Sequence, residues 1–225
     1  MTPYTQGIYK VLKKHSNEEN AIPMKKYMRN QFDFFGIKSD ERRQLCREYL
    51  NSNELPKGEE LHKVVKELWE MPERELQYFA IELLIKCKKQ WTLKDADFWE
   101  YLITHKSWWD TVDFLAGQVV GPWFLKFPDQ IKSVTGKWNK SENIWLQRMS
   151  ILFQLKYKKE TDLKLLYKYI ETLSESKEFF VQKAIGWILR EYSKTDPHEV
   201  KKYIAENKLM PLSKREGMKV IERGK

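Results

Sequence analysis

One short pattern recurs along this chain at intervals of about 35 residues. In each copy, an amide or acid side chain precedes a bulky or basic residue inside an apolar run: Gln77-Tyr78, Asp113-Phe114, Gln147-Arg148 and Gln182-Lys183. Residues that favour a helix start keep the same interval: Pro72, Ser107, Ser141 and Ser176. A period of this length with two helices per unit is typical of an α-solenoid, whose stacked helix pairs bury one continuous core.

The units are more like HEAT repeats than tetratricopeptide repeats, because the Trp-Leu-Gly-Tyr pattern of the latter is missing. The sequence therefore predicts an all-α fold, an α-solenoid of about six HEAT-like helix pairs. No long linker interrupts residues 1–225, so we expect a single domain. The predicted helices cover residues 4–15, 19–34, 39–51, 57–70, 72–90, 94–104, 107–120, 128–136, 141–159, 162–174, 176–193, 197–206 and 212–222.

Equivalent positions of a solenoid line up on one surface. We therefore expect Gln77, Asp113, Gln147 and Gln182 to form a polar row on one face. Asp113 is the only acid in this row, and an exception inside a repeat is a place where function is often added to a fold.

The segment from Lys106 to Asp113 supports that interpretation. Ser107 is a candidate N-cap, and Trp109 and Asp113 share a face of the helix that follows. An indole beside a carboxylate gives an apolar wall with one fixed negative charge, which suits a cationic ligand. The alternative is a core tryptophan beside a solvated aspartate.

Positive charge is concentrated in one part of the sequence. Residues 1–130 carry 20 Lys/Arg and 20 Asp/Glu, whereas residues 131–225 carry 21 Lys/Arg and 12 Asp/Glu, so the whole net charge of +9 lies in the later part. Such an excess, together with Trp, Tyr and Arg, is typical of a nucleic-acid-binding surface. We expect a concave basic face that binds DNA, and the alternative is a solvated face kept for solubility.

Several function classes lack their sequence signals. No apolar run is long enough to span a membrane, and the sequence begins without a signal-peptide pattern. Cys46 and Cys87 are far apart, so we expect free thiols in a reducing cytoplasm. Motifs for zinc, for nucleotide phosphates and for a serine nucleophile are also missing. We expect no metal and no cofactor.

Longer motifs make a resemblance to a known family visible. The sequence resembles the bacterial AlkD-type DNA alkylation-repair glycosylases, which are built from HEAT-like repeats. The resemblance covers nearly the whole chain and rests on these segments in order: Pro23–Asn30, Glu41–Leu45, Lys106–Asp113, Asn143–Arg148, Phe153–Lys158, Ser176–Trp187 and Leu212–Glu216.

The resemblance implies a monofunctional glycosylase that removes cationic N3- or N7-alkylated purines from duplex DNA without flipping the base. It implies that Asp113 is the catalytic carboxylate and that Trp109 and Trp187 line the site around the lesion's deoxyribose. Tyr27, Arg148 and Lys156 match further positions that contact the site or the DNA backbone. The residues predicted to contact DNA are Tyr27, Arg43, Arg148, Lys156, Lys183 and Arg190. We expect a monomer in the bacterial cytosol, associated with the nucleoid.

The chemistry agrees with a single carboxylate. A purine alkylated at N3 or N7 is cationic and leaves as a neutral base, so it needs no general acid, unlike an ordinary sugar leaving group. Asp113 would stabilise the positive charge that develops at C1′ of the sugar.

Two other function classes stay open on the sequence alone. A non-catalytic HEAT-like module would bind nucleic acid with the same basic face, and a protein-interaction scaffold would use its tryptophans as binding hot spots. Individual residues also have structural alternatives: Trp187 lies in an apolar run and Tyr27 could belong to the core, while Arg148 and Lys183 could be exposed charges.

Overall fold

The computed structural model describes residues 1–223, and within them all regular secondary structure is helical. The α-helices in chain order are α1 (Pro3–Lys14), α2 (Glu18–Tyr27), α3 (Ser39–Ser52), α4 (Glu59–Glu70), α5 (Arg74–Lys86), α6 (Ala96–Thr104), α7 (Trp109–Leu115), α8 (Gly121–Lys126), α9 (Ile131–Asn139), α10 (Ile144–Leu152), α11 (Leu163–Leu173), α12 (Phe179–Tyr192), α13 (Pro197–Glu206) and α14 (Pro211–Arg223). The predicted all-α class is confirmed. None of these helices is both long and apolar enough to cross a membrane.

The helices form two compact units, Met1–Thr92 and the residues from Leu93 onward. In the first unit, α4 packs on α5, while α1 contacts both α3 and α4. In the second, α10 is central and contacts α7 and α12 as well as α9 and α11. Each repeat of a solenoid contacts only its neighbours, so even a single solenoid domain divides into units of this kind. One domain over residues 1–225 stays a prediction.

The structure sets the register of the repeat. Five helices begin at a constant interval of about 35 residues, at Ser39, Arg74, Trp109, Ile144 and Phe179. Counted from these starts, Asp113 is a fifth residue, equivalent to Arg43, Tyr78, Arg148 and Lys183. Gln77, Gln147 and Gln182 are fourth residues, and the fourth residue of α7 is Val112. The sequence alignment of Asp113 with the glutamines was therefore wrong by one position.

The glutamines do not form an exposed row. The Gln77 amide donates to the carbonyl of Met71 at 2.8 Å, Gln147 to that of Ser141 at 2.7 Å and Gln182 to that of Ser176 at 3.0 Å. Each amide thus donates a hydrogen bond to a backbone carbonyl of the turn before its own helix, where carbonyl groups lack helical partners. A carboxylate cannot donate such a bond, which is consistent with the different placement of Asp113.

Three predicted helix limits were wrong. The helix predicted to reach residue 34 ends at Tyr27, because Arg29 and Asn30 adopt left-handed φ angles of 55° and 57°. The helix predicted over residues 141–159 ends at Leu152 and is followed by turns. Ser107 is not the N-cap of α7: its hydroxyl donates to the carbonyl of Ile103 at 2.6 Å, and Trp108 precedes the first helical residue.

The helix predicted over residues 107–120 does not end before Gly121-Pro122. α7 continues through a π-helical segment, Ala116–Val120, directly into α8. A proline ring normally clashes with the carbonyl four residues earlier, and a wider π turn before Pro122 offers that ring more room. The helical path consequently runs from Trp109 to Lys126.

Candidate active site

Four helices of the second unit surround one cleft. Its volume is about 370 Å³. The lining comes from α7, α10, α12 and α14: Trp109, Asp113, Arg148, Phe179, Phe180, Lys183, Trp187, Arg190 and Glu216. Because Asp113, Arg148 and Lys183 are the fifth residues of α7, α10 and α12, the repeat itself brings their side chains to the same cleft.

Asp113 and Arg148 form a bidentate ion pair. Nε of Arg148 donates to one carboxylate oxygen of Asp113 and a terminal nitrogen to the other, both at 2.8 Å. The other terminal nitrogen donates to the carbonyl of Phe180 at 2.6 Å. Only 5% of the Arg148 side chain and 14% of the Asp113 side chain are exposed. Arg148 therefore fixes the carboxylate plane and also ties α10 to the start of α12.

Burial raises the pKa of Asp113 above its ordinary value. The charge and hydrogen bonds of Arg148 oppose that rise, while the nearby charge of Asp110 adds to it. Arg148 is thus the main group that favours the ionised form of this buried carboxyl.

Glu216 is a second carboxylate in the lining, and its side chain is only 4% exposed. It pairs with Lys183 and Arg190 at 3.0 Å each and with Lys219 at 2.6 Å. Burial by itself raises the pKa of Glu216, but hydrogen bonds and charges from Lys219 and Lys183 outweigh it and lower the pKa to about 2. Glu216 is therefore ionised at neutral pH and holds two cations at the edge of the cleft.

Gly186 lets Glu216 approach α12. A Cβ atom at position 186 would lie only 2.4 Å from Cβ of Glu216 and 3.0 Å from the carbonyl oxygen of Ser213. Any larger residue would push α14 away from α12. This close contact places the charge of Glu216 between Lys183 and Arg190.

Aromatic rings connect the starts of three helices beside the cleft. The Trp108 ring lies 5.1 Å from that of Phe180 and 5.7 Å from that of Trp145. Phe180 in turn lies 4.9 Å from Trp145, between centroids. Contacts at these distances stabilise aromatic clusters beyond simple area burial. Phe180 belongs both to this cluster and to the lining, so the aromatic wall of the cleft is anchored in the unit's core.

Comparison with known proteins identifies the family. A sequence profile described as a DNA alkylation repair enzyme matches residues 8–221. The chain belongs to the DNA alkylation repair enzyme family. No curated protein matches the sequence.

Solved structures agree with this assignment. A structure described as a predicted DNA alkylation repair enzyme from Enterococcus faecalis is 35% identical, with a TM-score of 0.85, over 91% of this chain and 95% of that one. AlkD2 from Streptococcus mutans is 22% identical, with a TM-score of 0.60, over 88% and 96% of the two chains. The protein smu.31 from Streptococcus mutans UA159 is 18% identical, with a TM-score of 0.59, over 92% and 97%. The last two likenesses show the helical-repeat fold alone.

The structure of this alkylation repair enzyme brings six of the predicted site residues together: Trp109, Asp113, Arg148, Lys183, Trp187 and Arg190. Lys156 is exposed but lies outside the lining, with its side chain over Gly117, where a Cβ atom would lie 3.2 Å from its Cε atom. Tyr27 and Arg43 belong to the first unit. Tyr27 is 69% exposed, and Arg43 pairs with Asp40 at 3.4 Å.

For Arg148 the geometry differs from the sequence expectation of a phosphate contact. Its guanidinium is buried and its donors are directed at Asp113 and at a backbone carbonyl. Sequence reasoning also missed Phe179, Phe180 and Glu216 as lining residues. Gly186 was the available signal for Glu216, since a glycine inside a helix often marks a close approach of another element.

Within residues 1–223, no three His, Cys, Asp or Glu side chains are grouped as metal ligands.

Proposed function

We propose that this alkylation repair enzyme is a monofunctional DNA glycosylase. It hydrolyses the N-glycosidic bond of cationic N3- and N7-alkylpurines, such as 3-methyladenine and 7-methylguanine, in duplex DNA and leaves an abasic site. The observation that carries the proposal is the oriented, buried carboxylate of Asp113 in a cleft that Trp109 and Trp187 also line.

In the proposed reaction, the bond between C1′ and the purine nitrogen breaks, and its electron pair neutralises the departing base. Positive charge spreads over C1′ and the ring oxygen of the sugar. Asp113 stabilises that charge and accepts a hydrogen bond from the attacking water. As the C1′–O bond forms, the water's proton passes to bulk solvent. A fixed charge of this kind typically contributes ~3–4 kcal/mol to a transition state.

The indoles of Trp109 and Trp187 help to stabilise the cationic sugar. A cation near an indole face is stabilised by ~1–2 kcal/mol when water is excluded. Such attraction grows as the sugar becomes cationic, so it favours the transition state over the substrate. Because Trp109 and Trp187 act on the sugar, the proposal does not require the base to leave the duplex.

Arg148 acts as a positioning residue for Asp113 in this proposal. Lys183 and Arg190, held at the edge of the cleft by Glu216, contact phosphates that flank the lesion. Tyr27, Arg43 and Lys156 are proposed as further DNA contacts outside the cleft. Lysine and arginine contacts to phosphates supply most non-specific affinity for DNA.

The test incubates the protein with methylated duplex DNA and measures free 3-methyladenine and 7-methylguanine. Asp113→Asn keeps the shape of the side chain but removes its charge, so base release falls at least a hundredfold while affinity for the duplex is retained. Asp97→Asn makes the same chemical change at an exposed position of α6, outside the lining, and serves as the matched control. Duplex binding without any base release by the unaltered protein would instead identify a non-catalytic DNA-binding module.

A further inference from the structure

A second cleft of the same unit is lined by lysines and lies on different helices. It has a volume of about 570 Å³ and lies at α9 and α11. Five lysines line it: Lys132, Lys137, Lys140, Lys164 and Lys168. No residue of this lysine cleft also lines the candidate active site. α10 contacts helices of both clefts.

Most of the charge in the lysine cleft is uncompensated. Lys132, Lys140, Lys164 and Lys168 are exposed, and none of them forms an ion pair within the part of the chain that the structure describes. Lys137 makes one long contact of 3.4 Å to Glu100.

The acid in the lining does not balance these lysines. Asp162 is the N-cap of α11, and its carboxylate accepts a hydrogen bond from the backbone N–H of Leu165 at 3.0 Å. That bond uses the carboxylate to complete the first turn of the helix. Four ammonium groups therefore face one concavity without an ion-pair partner.

A concave surface on which charges of one sign predominate focuses the electrostatic potential and attracts ions of opposite sign. The lysines also follow the helices. Lys164 and Lys168 are one turn apart, and Lys132 of α9 lies ~12 Å along the helix axis from Lys140, the C-cap residue, at 1.5 Å per residue. A DNA strand presents phosphates continuously over such a distance. Lysine acts on phosphate as a point charge and needs no defined base sequence.

The rest of the lining favours a phosphate backbone over a protein surface. Among the described residues, no large exposed hydrophobic side chain lies in this cleft. Protein interfaces usually centre on apolar or aromatic anchors, which carry most of their binding energy. Tyr169 is the aromatic residue of the lining, and its hydroxyl is already hydrogen-bonded to that of Thr135 at 2.7 Å.

We propose that the lysine cleft binds the sugar-phosphate backbone of a second DNA segment while the candidate active site holds the segment that carries the lesion. The protein then bridges two duplexes and can pass between them without full release. This inference goes beyond the glycosylase proposal. It rests on the membership of a DNA repair family and does not depend on which residue is catalytic.

The experiment measures capture of a second duplex. A biotinylated undamaged duplex is immobilised, and the protein is added in a substoichiometric amount relative to that duplex. A fluorescent duplex is then supplied at several salt concentrations. The variant is Lys164→Gln/Lys168→Gln. Its matched control, Lys201→Gln/Lys202→Gln, removes the same charge from exposed positions of α13 that lie outside the lysine cleft.

We expect the unaltered protein and the α13 control to capture the fluorescent duplex, and the cleft variant to lose most of that capture. The slope of log binding constant against log salt for the second duplex should fall by about 1.8, since each lost phosphate contact removes ~0.9. Lys132→Gln/Lys140→Gln gives the same loss from the other helix. Affinity of each variant for the immobilised duplex stays unchanged.

Equal capture by the cleft variants and the control would overturn the proposal, as would no capture by the unaltered protein. Polyglutamate is included as a competitor at matched charge. If it displaces the second duplex more effectively than unlabelled DNA does, the cleft recognises an acidic protein instead, and the proposal is also wrong. None of these readings involves base release, so they are independent of the assay for Asp113.

Discussion

At the scale of single residues, Arg148 and Asp113 depend on each other. Replacing Arg148 with methionine leaves a buried carboxylate without its partner, and breaking a buried pair in this way typically costs ~3–5 kcal/mol. We expect Arg148→Met to lose most base release while affinity for undamaged duplex changes little, because the guanidinium is directed at Asp113. Arg148→Lys, which keeps the charge but not the paired hydrogen bonds, should recover part of the rate. If Arg148→Met instead lowers the affinity for all duplexes equally and leaves the rate of base release unchanged, Arg148 contacts phosphates and does not position Asp113.

The raised pKa of Asp113 gives a second prediction. In the proposed reaction, base release needs the ionised carboxylate, so we expect the rate to fall as pH drops through the pKa of Asp113. Burial raises this pKa above the ordinary value, so the fall begins at a higher pH than for a solvated aspartate. Arg148 opposes the rise, and Arg148→Met should therefore move the acid limb to still higher pH. Single-turnover rates across pH, corrected for spontaneous base loss, would check this, and an acid limb that stays in place would contradict it.

Glu216 contributes stability through its lowered pKa. The folded-state pKa is about 2 against an ordinary 4.5, so its stabilising contribution is complete above pH 4.5 and is lost as pH falls towards 2. The shift corresponds to about 3 kcal/mol. Glu216→Gln should lower the melting temperature at neutral pH and lessen its dependence on pH in the acid range. Glu222→Gln, on the exposed side of the same helix, is the control. Equal melting curves for the two variants would show that the ion pairs contribute no stability.

At the scale of helices, the sequence was sufficient for the repeat and for most helices but not for the register. The glutamines recur because each closes the turn before its helix, and Val112 replaces the glutamine in α7. Asp113, one position later, was the nearest polar residue and was aligned with them. Hydrogen bonds from side chain to turn decide this register, and residue types alone do not show them. Glu216 was missed for a similar reason, since its place depends on contact between α12 and α14.

That helix contact makes a testable prediction about Gly186. A methyl group there would meet Cβ of Glu216 at 2.4 Å, so Gly186→Ala should destabilise the protein by ~1–3 kcal/mol and separate α14 from α12. Gly136→Ala is the matched change in α9: its nearest neighbour would be the Tyr169 hydroxyl at 3.6 Å, an ordinary contact. There the gain in helix propensity should stabilise the fold by ~0.5–1 kcal/mol. Denaturant unfolding of both variants measures these changes, and equal effects would contradict the close packing.

At the scale of the whole molecule, the charge of the substrate should decide which lesions are released. The cleft contains two carboxylates, as in glycosidases that pair a nucleophile or base with a general acid. Glu216 cannot be that acid at neutral pH, because its pKa is about 2 and three cations surround it. Lys183 is itself engaged in one of those ion pairs, at 3.0 Å from Glu216.

In the proposed reaction, the leaving base therefore departs without a proton from Glu216. Duplexes with a single 3-methyladenine or 7-methylguanine should lose the base readily, whereas uracil, hypoxanthine and 8-oxoguanine, which are neutral and poorer leaving groups, should remain attached. Single-turnover rates on one duplex per lesion measure this order, with Asp113→Asn as the background. Purines with larger cationic adducts at N3 or N7 should be released as readily as 3-methyladenine and 7-methylguanine. Efficient release of uracil or hypoxanthine would require a general acid in the cleft, and the mechanism based on Asp113 alone would then be wrong.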